Sequence, residues 1–195
     1  MNQDSQANYV LDNINVLILD DNRHMRNLVQ SILHALGVKQ IREASDAPEA
    51  FKELQHFHAD VITADWHMEP LDGLDFVRLV RTAKDSPNLY VPIIMLTGHT
   101  EYQRVCEARD AGVNEFLAKP ISARALYTRF ASIIENRRPF IRTKTYFGPD
   151  RRRQNLGPPR GVVERRKDEI EKIEKAAEAE QAGLSQDEVE ALLDK

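Results

Sequence analysis

From Val16 to Asn136 the chain alternates short apolar runs with longer stretches whose apolar residues recur every three or four positions. The runs are VLIL (Val16–Leu19), Lys39–Ala44, VITAD (Val61–Asp65), VPIIMLT (Val91–Thr97) and EFLAK (Glu115–Lys119). Each has the length and residue types of a strand. Between the first two, His24–Leu36 places Met25, Leu28, Val29, Ile32, Leu33 and Leu36 at helical spacing. Ala47–Phe57, Leu71–Thr82, Glu101–Ala111 and Ser122–Asn136 read as helices by the same rule. Gly37 and Gly112 close two of them, and Ser122 supplies an N-cap for the last.

The sequence thus predicts five strand–helix units. Strands that are apolar throughout need cover on both faces, the condition of a parallel sheet. Right-handed crossovers then give an α/β fold, a doubly wound five-stranded parallel sheet. Sites in such folds lie beyond the carboxyl ends of the strands.

After Arg137 the pattern stops. Arg137–Lys167 holds four prolines, three glycines and no helical period, so it reads as an extended linker. Asp168–Gln181 is rich in Glu, Lys and Ala, with only Ile170 and Ile173 strongly apolar, and reads as a solvated helix. Gly183 ends it. In Leu184–Lys195, Ser185 and Glu188 form a capping box. There Leu184, Val189, Leu192 and Leu193 make one apolar face. The expected organisation is an N-terminal extension (1–13), a folded domain (14–137), a basic Pro/Gly/Arg-rich linker (138–167), a charged helix (168–182) and an amphipathic helix (183–195).

Charge sharpens these divisions. The net −4 of the 195 residues splits into −6 over residues 1–136, +9 over 137–167 and −7 over 168–195. Blocks of opposite sign after a folded domain suggest two interaction segments of different kinds. Cys106 is the one cysteine, so no disulfide can form within the chain. No apolar run nears the roughly 18 residues needed to span a bilayer. The opening MNQDSQANYV lacks the order of a signal peptide. A cytoplasmic protein without membrane insertion is expected. Nothing after residue 137 has the length or pattern of a helix-turn-helix, so DNA is not an expected partner.

The polar residues at the strand ends carry the chemistry. Asp20 and Asp21 follow the first strand, Asp65 ends the third, Thr97 the fourth and Lys119 the fifth. All five converge on one edge of the sheet. Three carboxylates in one cleft repel each other unless a cation sits among them, and oxygen-only ligands favour Mg²⁺. A lysine and a hydroxyl beside them complete a pocket for a phosphoryl group, with a carboxylate available as nucleophile.

These residues, in LILDD (Leu17–Asp21), DWHMEPLDG (Asp65–Gly73), IIMLTG (Ile93–Gly98) and EFLAKPI (Glu115–Ile121), resemble the receiver domain of CheY-type response regulators. The resemblance covers roughly residues 14–137. It implies the flavodoxin-like strand order 2-1-3-4-5. It implies Asp65 as phosphoacceptor, with Thr97 and Lys119 contacting the phosphoryl group. Asp21, Asp65 and the backbone carbonyl of His67 would hold Mg²⁺, with Asp20 acting through water. Phe116 would be an aromatic switch that moves with Thr97. A histidine kinase would supply the phosphoryl group, and output would be protein–protein contact in chemotaxis or motility rather than enzymatic turnover. One position departs from the family pattern: Glu69 stands where members commonly have proline, and Pro70 follows it.

Leu184–Leu193 is similar to the short peptides of FliM and CheZ that bind the output face of CheY. It is expected to dock on a CheY-like receiver, its own or another. GPDRRR (Gly148–Arg153) resembles the arginine-rich extension of CheY-like proteins that bind cyclic di-GMP at the flagellar motor. Arg151, Arg152 and Arg153 would then clamp phosphates while Tyr146 and Phe147 stack on guanine. A solvated basic linker, and pairing with the acidic segments, remain as alternatives.

Overall fold

Apolar strands end up where both of their faces are covered. In the computed structural model, which describes residues 9–98, 102–143 and 146–151, five strands form one parallel sheet in the order β2-β1-β3-β4-β5. They are β1 (Asn15–Leu19), β2 (Gln40–Ala44), β3 (Val61–Asp65), β4 (Ile93–Thr97) and β5 (Glu115–Ala118). The intervening helices are α1 (Arg23–Ala35), α2 (Ala47–Leu54), α3 (Gly73–Thr82), α4 (Tyr102–Ala111) and α5 (Ala123–Glu135). The expected order and architecture are both present.

The sheet's two faces carry separate cores, because side chains alternate along each strand. Leu17, Leu19, Ile62, Ile93 and Met95 face α2, α3 and α4, where they meet Leu54, Phe76, Val77 and Val80. Val16, Ile18, Ile94 and Leu96 face α1 and α5, where they meet Val29, Leu33, Leu126 and Phe130. β3 and β4 are buried at every residue, whereas β2, at the sheet edge, alternates. Helix starts follow local chemistry. Asn22, Asp46, Asp72 and Ser122 each accept a hydrogen bond from a backbone N–H of the first turn. The expected boundaries hold to within three residues.

Two expectations need correction. The first concerns residues 138–151, expected as part of an extended linker. They fold back instead: β6 (Phe140–Arg142) pairs antiparallel with β7 (Phe147–Pro149). The compact unit runs to Arg151. Three-residue strands are too short to display a period, and tertiary contacts decide them. Phe140 and Phe147 pack with Tyr90, and Tyr146 is buried. The second concerns the N-terminal extension, whose residues 9–13 are in part integral. Leu11 lies in the α1/α5 core, and the Tyr9 N–H donates to the Tyr127 hydroxyl oxygen at 2.7 Å. The expected helices at 168–182 and 183–195, with Leu184, Val189, Leu192 and Leu193, lie outside the described residues.

Candidate functional site

The chain turns one way from β1 to β2 and the other way to β3, which opens a crevice above the carboxyl ends of β1 and β3. The acidic residues meet there. Asp20, just past β1, is fully buried, Asp65 at the end of β3 is nearly so, and Asp21 is exposed. One carboxylate oxygen from each lies within 4.8 Å of the others. Lys119, just past β5, reaches in from the far side. Its Nζ lies 3.0 Å from Asp65 Oδ1 and 3.5 Å from Asp20 Oδ2. Thr97 ends β4 and is buried and engaged. The five residues read from the strand ends therefore share one edge of the sheet, with direct contacts linking Lys119 to both buried aspartates.

Burial pushes the Asp20 carboxyl above the usual carboxylate range, and the nearby Asp65 charge pushes the same way. The Asn22 N–H, donating to Asp20 Oδ1 at 2.8 Å, and Lys119 act in the opposite direction. One lysine thus serves two buried carboxylates. An all-oxygen donor set with surplus negative charge fits a hard divalent cation.

Residues the sequence reading missed hold this geometry. The Trp66 N–H donates to Asp65 Oδ1 at 2.8 Å and fixes the carboxylate's orientation. Arg26 Nη1 donates to the carbonyls of Asp20 (2.7 Å) and Asp21 (3.3 Å), while its Nε pairs with Glu43 at 3.2 Å. Its signal is its place one turn into the helix that follows the aspartates, from which a long side chain reaches back over the loop. Gly73 opens α3 directly against Asp65: a Cβ there would collide with the Asp65 carbonyl oxygen. Its own N–H donates to the Trp66 carbonyl at 2.9 Å.

Phe116 is half-buried, with its ring 6.4 Å from that of Trp66. His67 is exposed, one residue beyond Trp66. The Glu69–Pro70 and Lys119–Pro120 peptides are cis. The groups expected to hold a nucleotide are used otherwise. Arg151 pairs with Asp110 at 3.3 Å and lies 3.9 Å over the Tyr146 ring. Tyr146 is buried, and Phe147 packs in the hairpin. This corrects the expectation that both rings are free to stack; Arg152 and Arg153 lie outside the described residues. A separate cleft of about 570 Å³ lies at the opposite edge of the sheet. In its lining Arg138 pairs with Glu115 at 3.2 Å, and the His58 ring lies 3.9 Å from the Asp60 carboxylate.

No helix among the described residues is long and apolar enough to cross a membrane. The family model of the Response regulator receiver domain matches residues 16–131, more than half of the chain. The chain is 32% identical over 123 residues to chemotaxis protein CheY-3 of Vibrio cholerae, covering 63% of this chain and 93% of that protein. The structure of the chemotaxis response regulator CheY4 of Vibrio cholerae is similar, with a TM-score of 0.57 at 30% identity, over 62% of this chain and 98% of that one. So is the receiver domain of the histidine kinase CKI1 from Arabidopsis thaliana, solved with Mg²⁺ and BeF3⁻. Its TM-score is 0.54 at 25% identity, over 64% of this chain and 94% of that one.

Proposed function

The chain belongs to the response regulator receiver domain family of two-component signalling, and from that premise we propose that it is a chemotaxis- or motility-type switch that takes a phosphoryl group on Asp65. The observation that carries this reading is Lys119 bridging two buried aspartates at the carboxyl edge of the sheet. In the proposed reaction an Asp65 oxygen attacks the phosphorus of a phosphohistidine on a histidine kinase. The O–P bond forms as the N–P bond breaks, and the imidazole leaves with its electron pair. The Trp66 N–H holds Oδ1, which leaves the other carboxylate oxygen for the attack. Lys119 would neutralise charge that builds on the phosphoryl oxygens, and the Thr97 hydroxyl, at the end of the neighbouring strand, would hydrogen-bond to one of them.

Asp21, Asp65 and the His67 carbonyl would hold Mg²⁺, with Asp20 acting through water. The ion, when bound, would neutralise negative charge shared by the carboxylates and the phosphoryl group. Phe116, beside Trp66, is the side chain assigned to move with Thr97 and alter the surface of α4, β5 and α5. Output would be contact with a partner protein. The proposed binding segment for a CheY-like receiver is the apolar face of Leu184, Val189, Leu192 and Leu193. CheY-like receivers as a class are signalling proteins rather than enzymes.

Incubation of the full chain with Mg²⁺ and acetyl phosphate, followed by intact-mass measurement, tests the reading. Wild type gains one phosphoryl group and Asp65→Asn gains none. A wild type that stays unmodified refutes it.

A further inference from the structure

The β6–β7 hairpin lies beyond the family match, which ends at residue 131. Its contacts are shared between Tyr90, Arg81 of α3 and the C-terminal end of α4. Arg151 pairs with Asp110 on that helix. Gly148 backs onto Gly112: a Cβ added at Gly148 would stand 3.0 Å from the Gly112 Cα and 2.6 Å from the Tyr146 hydroxyl. Arg81 of α3, 2% exposed, completes the junction. It donates to the carbonyls of Leu89 (2.8 Å) and Gly112 (3.2 Å) and to Asn114 Oδ1 (3.1 Å), and it faces the Phe140 ring at 5.1 Å.

The other end of α4 touches the acceptor's neighbour. The Arg104 guanidinium lies 5.5 Å over the Trp66 ring, and Trp66 donates to Asp65. Arg104 and Asp110 are six residues apart, about 9 Å along the helix axis. Between these ends α4 is lightly anchored. Among its described side chains only Ala108 and Ala111 are buried, whereas α3 buries Leu74, Phe76, Val77 and Val80. A helix with so little buried apolar surface takes its position from the contacts at its ends.

We propose that α4 is a lever that carries the state of Asp65 to the β6–β7 hairpin, and through it to Arg151, where the chain leaves the folded unit. The proposal rests on the reading of Asp65 as phosphoacceptor. The contacts of the hairpin with Asp110 and Gly112 hold α4 in one position. By linkage, a group on Asp65 that shifts α4 loosens the hairpin, and a loosened hairpin strengthens binding at Asp65 by the same factor.

The test uses the full chain with Mg²⁺ and beryllofluoride as the phosphoryl mimic. Trp66, the one tryptophan, reports binding by fluorescence, and hydrogen exchange read by mass spectrometry reports on residues 138–151. The mimic speeds exchange in the hairpin several-fold. Asp110→Ala, which removes a surface ion pair, and Gly148→Ala, which wedges the hairpin outward, each bind the mimic about fivefold more tightly, at the low end of coupling between sites. Lys39→Ala, at a distant surface pair with Asp12, binds as wild type does. If the mimic binds wild type while hairpin exchange and both variant affinities stay unchanged, the lever is overturned and the phosphoacceptor reading stands. If the mimic does not bind wild type at all, the phosphoacceptor reading fails and the lever falls with it.

Discussion

Replacing Asp20 by an asparagine should make the metal-free protein more stable, and the structure indicates by how much. Asp20 is fully buried beside Asp65, with carboxylate oxygens at most 4.8 Å apart. At that separation and an effective dielectric of ~20, the pair repels by about 3.5 kcal/mol. Lys119 at 3.5 Å returns about 4–5 kcal/mol at most, and less in practice because Asp65 competes for it at 3.0 Å. The Coulomb terms therefore nearly cancel, and the burial of an ionised carboxyl is left undercompensated. Asp20→Asn would keep the shape and shed that burden, for a gain of roughly 1–3 kcal/mol. In a chain of this size that is a rise of about 2–12 °C in Tm. Mg²⁺ should shrink that lead. Wild type gains about 2.7 kcal/mol at a hundredfold excess over Kd, whereas the variant has lost a carboxylate beside the ion and gains less. Thermal melts in EDTA and in millimolar Mg²⁺ make the comparison. An Asp20→Asn protein that melts below wild type in EDTA, or an equal response of both proteins to Mg²⁺, would refute the reasoning.

Two further variants probe the scaffold. Arg81→Met strips donors from Gly112, Leu89 and Asn114, and urea unfolding at pH 7 should show a loss of about 2–4 kcal/mol. Burial pushes the Arg81 guanidinium down to about 9. The gap between wild type and Arg81→Met should therefore be flat below that pH and widen above it, where the unfolded chain binds more protons than the folded one and wild type gains stability. Urea midpoints from about pH 7 to 10.5 read this directly, and a gap that narrows above pH 9 contradicts it. Gly73→Ala drives a Cβ into the Asp65 carbonyl oxygen. It should cost about 1–3 kcal/mol and slow labelling by acetyl phosphate, both measurable on one preparation.

Much of this was legible in the sequence because it is periodic. The wholly apolar strands announced a sheet covered on both sides, and their last residues named the site. Asp20, Asp65 and Lys119 fell together because a parallel sheet sends every strand end to the same edge. The hairpin was not legible. Phe140–Arg142 and Phe147–Pro149 are too short for a pattern, and Pro139 and Pro149 suggested extended chain. Arg81 was not legible either. It occupies the last turn of an amphipathic helix, where a cation usually faces water, and it is buried among the Leu89 and Gly112 carbonyls, Asn114 and the Phe140 ring, which only the tertiary fold brings together. Tyr9 and Leu11 stand in a polar opening segment whose packing depends on α5, more than a hundred residues away.

The position of Arg81 bears on how such a protein can be recombined. The family match ends at residue 131, but the folded unit ends at Arg151. A cut placed between residue 131 and Phe140 would strip Phe140 and Tyr146 from a buried guanidinium and open the far side of α3 to solvent. A new effector segment spliced on after Asn136 would inherit a damaged receiver, whereas one spliced on after Arg151 would inherit an intact one. The unit of exchange is set by what shields one arginine from water, some twenty residues past the end of the family match.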